Sequence, residues 1–69
     1  MRYGEVLQYY LEKKGISRSE LARRVNCSRS QITEYINGDS KEPTLTRAKK
    51  IADALEVPFE EMINKIFEE

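Results

Sequence analysis

A run of polar side chains in the middle of the chain has the chemistry needed to recognise DNA bases. In the major groove, arginine bonds the O6 and N7 atoms of guanine, glutamine suits adenine, and glutamate accepts from the N4 amino group of cytosine. Side chains that can make such contacts are Arg29, Ser30, Gln31, Thr33 and Glu34. They can act together only if one helix presents them on one side, which depends on the segment around them.

Two short amphipathic segments, separated by a brief turn, surround these side chains. Ser17 is suited to cap the first helix, with Glu20 completing a capping box, and Ser28 is suited to cap the second. Asn26 suits a left-handed turn between them, and Asn37-Gly38 ends the second helix. Helices joined in this way cross steeply, which leaves the second helix exposed along one side. The residues predicted to face inward are Leu21, Ala22, Val25, Ile32, Tyr35 and Ile36.

The rest of the chain also has helical periodicity, and no segment alternates with the period of a strand. Gly15 ends a first helix, Thr44 caps a fourth after a loop at residues 39–43, and Pro58 stands at the start of a fifth. We therefore predict an all-α, compact five-helix domain over residues 1–69, with a helix-turn-helix unit at about 17–37 and a C-terminal helix at about 58–67. The apolar stripes comprise Tyr3, Val6, Leu7, Tyr10 and Leu11 in the first helix, Leu45, Ala48, Ile51, Ala52 and Leu55 in the fourth, and Phe59, Met62, Ile63, Ile66 and Phe67 in the fifth.

The formal net charge of zero conceals a gradient along the chain. Residues 13–29 contain six basic side chains and one acid, a balance of +5, whereas residues 53–69 contain six acids and one lysine, a balance of −5. A basic pole can hold a polyanion while the acidic pole points away from it. The simpler interpretation is that both segments are ordinary solvated helix faces.

Several classes of function are disfavoured by what the sequence contains. It has no histidine, its single cysteine has no partner for a zinc site or a thiol dyad, and its three glycines form no phosphate-binding loop. We expect no enzymatic activity, no metal and no cofactor, with Cys27 a half-buried residue of the turn. Neither a secretory signal nor an apolar run long enough to span a membrane is present, so the cytoplasm is the expected compartment.

The stretch "ISRSELARRVNCSRSQITEYING" resembles the helix-turn-helix core of the phage-repressor and Cro-type regulators, also called the xenobiotic-response-element family. The later "PTLTRAKKIADALEVPFEEMI" resembles the fourth and fifth helices of that family, so the similarity runs from about Gly4 to Ile63. The resemblance implies a lambda-repressor-like fold, double-stranded operator DNA as the ligand and a homodimer. It also implies that Arg29, Ser30 and Gln31 contact bases, with Glu34 one turn further on.

The resemblance implies phosphate contacts as well. The residue that opens the second helix, here Arg18, touches phosphate and supports the recognition helix in that family, and Asn37 bonds phosphate at the end of the third helix. We expect Ser28 and Lys41 to contact phosphate too. The sequence departs from the pattern at Arg18, where glutamine is common, so a paired contact with the residue that opens the third helix is not expected. It also departs at the turn, where Asn26 replaces glycine.

The apolar stripe of the fifth helix is broader than one small domain needs. Ile66 and Phe67 lie where little of the same chain remains to cover them, which suggests a twofold partner. The predicted dimer interface comprises Phe59, Ile63, Ile66 and Phe67. The alternative is that the whole stripe folds back onto the first helix.

Two functions remain in competition at this point. The first is a sequence-specific transcriptional regulator, a repressor, that reads the major groove with the helix starting at Ser28 and that a regulatory protein could control. The second is a protein-interaction module on the same fold, such as an antitoxin whose main role is to bind a partner protein, because a fold does not determine a function. The role of Glu34 is open as well, since it could read cytosine or orient Arg29 or Arg18 through a salt bridge.

Overall fold

The computed structural model describes residues 1–39 and 41–68, and these form five helices with no strand among them. The helices are α1 (Tyr3–Lys14), α2 (Arg18–Arg24), α3 (Arg29–Asn37), α4 (Leu45–Ala54) and α5 (Phe59–Ile66). The predicted all-α fold class is thus confirmed. Ser40 of the predicted loop and Glu69 of the acidic segment lie outside the described residues. None of the described helices is long and apolar enough to cross a membrane.

Hydroxyl side chains begin three of the helices, as predicted. The Oγ atoms of Ser17 and Ser28 accept from the backbone N–H of Glu20 (3.0 Å) and Gln31 (3.1 Å), and Thr44 Oγ1 accepts from Arg47 (3.3 Å). The predicted capping box of α2 is only half formed, because the Glu20 carboxylate accepts from Arg23 and Arg24 instead. Those cations lie three and four residues further along the same helix and make charge-assisted bonds, which are stronger than a bond from a neutral backbone N–H.

Apolar side chains from all five helices meet in one core. The largest fully buried side chains are those of Val6, Leu7, Leu21, Ile32, Ile51, Leu55 and Met62. One inward position was predicted wrongly, since Leu45 is 73% exposed. It lies at the first residue of α4, beyond the edge of the core that Ile51, Ala52 and Leu55 reach.

A glycine in α1 allows that helix to lie directly against the end of α3. A Cβ atom added to Gly4 would clash with the Ile36 carbonyl oxygen and would lie 2.6 Å from that of Tyr35. Both obstacles are backbone atoms, so neither can move aside without shifting α3. The α1–α3 contact, together with the packing of α2 on α3, fixes the position of the third helix.

The fifth helix packs back onto α1 and α4, so the fold-back alternative is correct for part of its apolar stripe. Met62 is buried, Phe59 and Ile66 pack half-buried against the core, and Phe67 remains 79% exposed. The Tyr10 hydroxyl of α1 donates to Glu61 Oε2 of α5 at 2.9 Å. This bond ties the first and last helices together at the edge of the core.

We expect Gly4→Ala to lower the free energy of unfolding by roughly 1–2 kcal/mol net, because overpacking against rigid backbone costs up to about 3 kcal/mol. The clash should outweigh the roughly 1 kcal/mol by which alanine favours a helix over glycine. Asn64→Ala, at an exposed position of α5, is the matched control and should keep or raise stability. Denaturant unfolding monitored by circular dichroism measures both. A Gly4→Ala variant as stable as the parent would contradict the close approach.

Stability should fall as the pH rises from about 10 to about 12. Burial, assisted by the hydrogen bond to Glu61 and its negative charge, raises the pKa of Tyr10 to about 12. An unfolded tyrosine loses its proton near pH 10. The unfolded state therefore binds fewer protons across this range, and the free energy of unfolding decreases.

Denaturant unfolding of Tyr10→Phe across this pH range tests the assignment, with Tyr9→Phe as the control at an exposed position. The Tyr10 variant should lose less stability than the parent between these pH values. Part of the slope should remain, because burial also raises the pKa of Tyr3. Equal slopes in the parent and the Tyr10 variant would refute the assignment.

Candidate nucleic-acid interface

The third helix presents its polar side chains outward because its apolar side chains are held in the core. Ile32 and Tyr35 are buried and Ile36 packs half-buried against the core. These anchors fix the rotation of α3 about its axis, since side chains three and four residues apart lie on one face. Of the five predicted base contacts, Arg29, Ser30 and Glu34 are exposed, whereas Gln31 and Thr33 are half-buried.

The turn that leads into α3 is built by backbone conformation and a small side chain. Asn26 has a positive φ of 58°, as predicted, and Ala22 of α2 is buried where α2 packs on α3. The Cys27 backbone N–H donates to the Ala22 carbonyl oxygen at 2.9 Å, and the Cys27 side chain is half-buried against the core. The prediction for Cys27 is therefore confirmed.

Arg18, at the start of α2, is bonded to α3 rather than left free in solvent. Its Nη1 atom donates to Thr33 Oγ1 at 3.2 Å, and its Nη2 atom donates to Gln8 Oε1 of α1 at 3.4 Å. Contact between Arg18 and the third helix was expected, but Thr33 as the partner was not. Gln8 was missed, because a glutamine beside an apolar stripe gives no sign in sequence that an arginine from another helix will reach it.

Glu34 forms no ion pair with either arginine proposed for it. The ion pairs among the described residues join Glu20 to Arg23 and Arg24, Lys49 to Asp53, and Lys65 to Glu68. Arg18 bonds Thr33 and Gln8 instead. The Glu34 side chain lies exposed on α3. It is available there for a group outside the chain.

The predicted phosphate contacts are distributed around α3. Ser28 precedes the first residue of α3 and Asn37 is its last, so the two exposed side chains stand about 13 Å apart along the helix axis. Arg18 lies between them through its bond to Thr33. Lys41 is exposed in the segment before α4. The structure thus places three of the four beside the outer face of α3 and the fourth in the following loop.

Arg2 is a cation of this surface that the sequence did not reveal. A Cβ atom added to Gly38, which ends α3 with a φ of 76°, would lie 2.6 Å from Arg2 Nη2. The Arg2 guanidinium therefore lies over the C-terminal end of α3, next to Asn37. No basic residue of α3 itself occupies its last turn. A cation here stabilises the negative end of the helix dipole and adds positive charge to the surface.

The six basic side chains of residues 13–29 lie on different parts of the domain surface. Lys13 lies 5.7 Å from the centre of the Tyr9 ring, against which Lys65 of α5 also packs, and Lys14 donates to the Glu56 carbonyl oxygen after α4. Glu20 lies between Arg23 and Arg24, whose hydrogen bonds lower its pKa. Only Arg18 and Arg29 of the six basic residues belong to the surface around α3, where Arg2 joins them.

The residues predicted for a dimer interface lie along α5 with unequal exposure. Phe59, Ile63 and Ile66 are half-buried, whereas Phe67 projects from the C-terminal end of the helix. The four do not form one fully exposed apolar face, because α5 uses part of its stripe for the core.

Comparisons with known proteins agree with this architecture. A family model described as helix-turn-helix matches residues 7–62. Among solved structures, the chain is similar to the master regulator for biofilm formation SinR in complex with DNA, with a TM-score of 0.79 and 23% identity over 88% of this chain and 97% of that one. At this identity the likeness shows the fold. No curated protein matches the chain significantly.

Proposed function

The chain belongs to the Cro/C1-type helix-turn-helix family of DNA-binding transcription regulators, and from this premise we propose that it is a sequence-specific repressor that reads double-stranded operator DNA with α3. The observation that carries the proposal is the outer face of α3, which combines exposed base-reading side chains with a rotation fixed by the buried Ile32 and Tyr35. The function is one of binding and requires no catalytic group.

Base reading takes place where α3 enters the major groove, which is about 12 Å wide and admits one helix. The N-terminal residues of such a helix approach the base edges most closely. Arg29 therefore contacts guanine through O6 and N7, and Ser30 and Gln31 contact the adjacent bases. Glu34, one turn further along, accepts from the N4 amino group of cytosine, and Thr33 lies between them on the same side.

Phosphate contacts position the helix without reading sequence. Ser28 and the positive end of the helix dipole meet one phosphate, while Asn37 and Arg2 meet another at the opposite end of α3. Arg18 and Lys41 complete the set. Because these contacts release counterions from the DNA, affinity should decrease as the salt concentration rises.

Repression follows from occupancy alone. A domain bound in the major groove over a promoter excludes other proteins from the same DNA and needs no further contact to do so, whereas activation requires a second surface that touches the transcription machinery. We place this activity in the cytoplasm and assign residues 1–69 to one DNA-binding domain.

A protein-interaction module is the second candidate, and two exposed apolar side chains favour it. Leu45 and Phe67 are each more than two-thirds exposed, and burial against a partner would stabilise either side chain. An antitoxin-like protein would use such residues and could dispense with the polar face of α3. Gel-shift titration against its own promoter region separates the two functions.

We expect Arg29→Ala to cost about 1–3 kcal/mol of affinity on the cognate site and to relax the preference at one base position, because a bidentate contact to guanine is lost. The site is first obtained by selection from random duplexes, and affinities are then measured at several salt concentrations. Arg23→Ala is the matched control, since its side chain is 77% exposed on α2 and pairs with Glu20. That variant should keep the base preference.

Two results would count against the proposal. If Arg29→Ala bound the selected site with the affinity and base preference of the parent, α3 would not enter the groove as proposed. If the parent bound no duplex, or bound with an affinity independent of salt, the protein-interaction function would be favoured instead.

We also propose that the regulator is a symmetric homodimer that uses the C-terminal part of α5, with Phe59, Ile63, Ile66 and Phe67 in the interface. The exposed Phe67 supports this arrangement, because burying such a side chain contributes about 1.5–3 kcal/mol. A twofold axis would place the two α3 helices about 34 Å apart on successive turns of the major groove. The operator would then be nearly palindromic.

Phe67→Glu should weaken dimerisation, because it places a charge in the proposed interface without disturbing the core. Leu45→Glu is the matched control at a similarly exposed position of α4. Sedimentation analysis at tens of micromolar protein, with and without operator DNA, measures the mass of each. A parent that is monomeric in both conditions would refute the dimer, as would a Phe67→Glu variant that associates as strongly as the parent.

A further inference from the structure

The guanidinium of Arg18 connects polar side chains of two other helices. Nη1 donates to Thr33 Oγ1 of α3 at 3.2 Å, and Nη2 donates to Gln8 Oε1 of α1 at 3.4 Å. Gln8 is itself held, because its Nε2 atom donates to Glu12 Oε1 at 2.9 Å. Arg18, Thr33 and Gln8 are all half-buried. The direction of the Arg18 guanidinium is therefore set by its bonds to α1 and α3 before any DNA arrives.

This contact changes which hydrogen bonds the Thr33 hydroxyl can still make. A hydroxyl carries one proton to donate and two lone pairs that can accept. Arg18 occupies the oxygen as a donor, and no described residue accepts the hydroxyl proton. A second N–H donor approaching the oxygen would also meet the positive charge of Arg18, which repels it. An acceptor approaching the proton is attracted by the same charge.

We propose, resting on the DNA-binding function above, that Arg18 makes Thr33 a hydrogen-bond donor toward DNA and so a determinant of sequence specificity. The base opposite Thr33 must then present an acceptor in the major groove, which guanine does at N7 and O6, adenine at N7 and thymine at O4. Cytosine presents its N4 amino group there and is rejected. Arg18 is a positioning residue in this role, in addition to any phosphate contact.

Ser30 provides the comparison within the same helix face. Its hydroxyl is exposed, and no described residue bonds it. A hydroxyl that rotates freely can donate or accept, and it discriminates poorly between bases. The difference between the two hydroxyls comes from Arg18, because serine and threonine offer the same donor and acceptor groups.

The first experiment determines base preference by selecting sites from random duplexes. The parent should disfavour cytosine at one position by roughly threefold to tenfold, the amount that one net hydrogen bond contributes. Thr33→Val, which keeps the shape and removes the hydroxyl, should abolish that preference, and Thr33→Ser should retain it. Arg18→Met should admit cytosine at the same position while the guanine preference due to Arg29 persists. Ser30→Ala should leave this position unchanged.

The second experiment uses the parent protein alone, so the folding of variants does not affect it. The selected base at the Thr33 position is replaced by an analogue without a major-groove acceptor: 7-deazaadenine for adenine, an analogue that lacks O4 for thymine, and an analogue that lacks both N7 and O6 for guanine. Affinity should fall roughly threefold to tenfold. The same replacement elsewhere in the flanking DNA should have no effect.

The inference and the proposed function fail in different ways. An Arg18→Met variant that binds every duplex more weakly by one factor, with all base preferences intact, would reduce Arg18 to a phosphate contact and overturn the inference. Equal affinity of the parent for the natural base and its analogue would do the same. In both cases the Arg29-dependent preference would survive. A parent without preference among duplexes would overturn the proposed function and the inference together.

Discussion

The close approach of α1 to the C-terminal end of α3 is the contact on which the outer face of α3 depends. At Gly4 only a hydrogen atom separates the α1 backbone from the carbonyl oxygens of Tyr35 and Ile36. Ile32, in the middle of α3, is fully buried in the same core. One helix is thereby fixed in both position and rotation. The polar side chains of α3 face outward because its apolar side chains are all engaged inside.

Side-chain hydrogen bonds at the margin of this core add further order. The bonds from Arg18 to Thr33 and Gln8 join α1, α2 and α3 at the margin of the outer face, where side chains are half-buried rather than free. Holding a long cationic side chain in one direction costs conformational entropy in the free protein. That cost is then already met when a ligand binds, so the surface is organised in advance.

The distribution of charge shows why a balance counted along the chain describes a surface poorly. Lys13 and Lys14 reach the side of the domain occupied by Tyr9 and Glu56, and Glu20 neutralises part of the charge of Arg23 and Arg24. The surface around α3 instead gains Arg2 from the opposite end of α1. A short basic stretch can therefore contribute few charges to an interface, whereas a residue distant in sequence contributes one.

The sequence by itself determined the elements of this protein, because the signals for them are local. Local signals were enough to predict five helices and the inner face of α3. They are three hydroxyl caps, the helix-ending residues Gly15 and Gly38, the positive-φ turn residue Asn26 and the 3.6-residue periodicity. The base-contacting roles of its outer residues remain predictions. Only the tertiary structure decided which residues from different helices meet: Arg18 with Thr33 and Gln8, Arg2 with the end of α3, and Leu45 with solvent. These pairings depend on the distances and angles between packed helices, which periodicity within one helix does not encode.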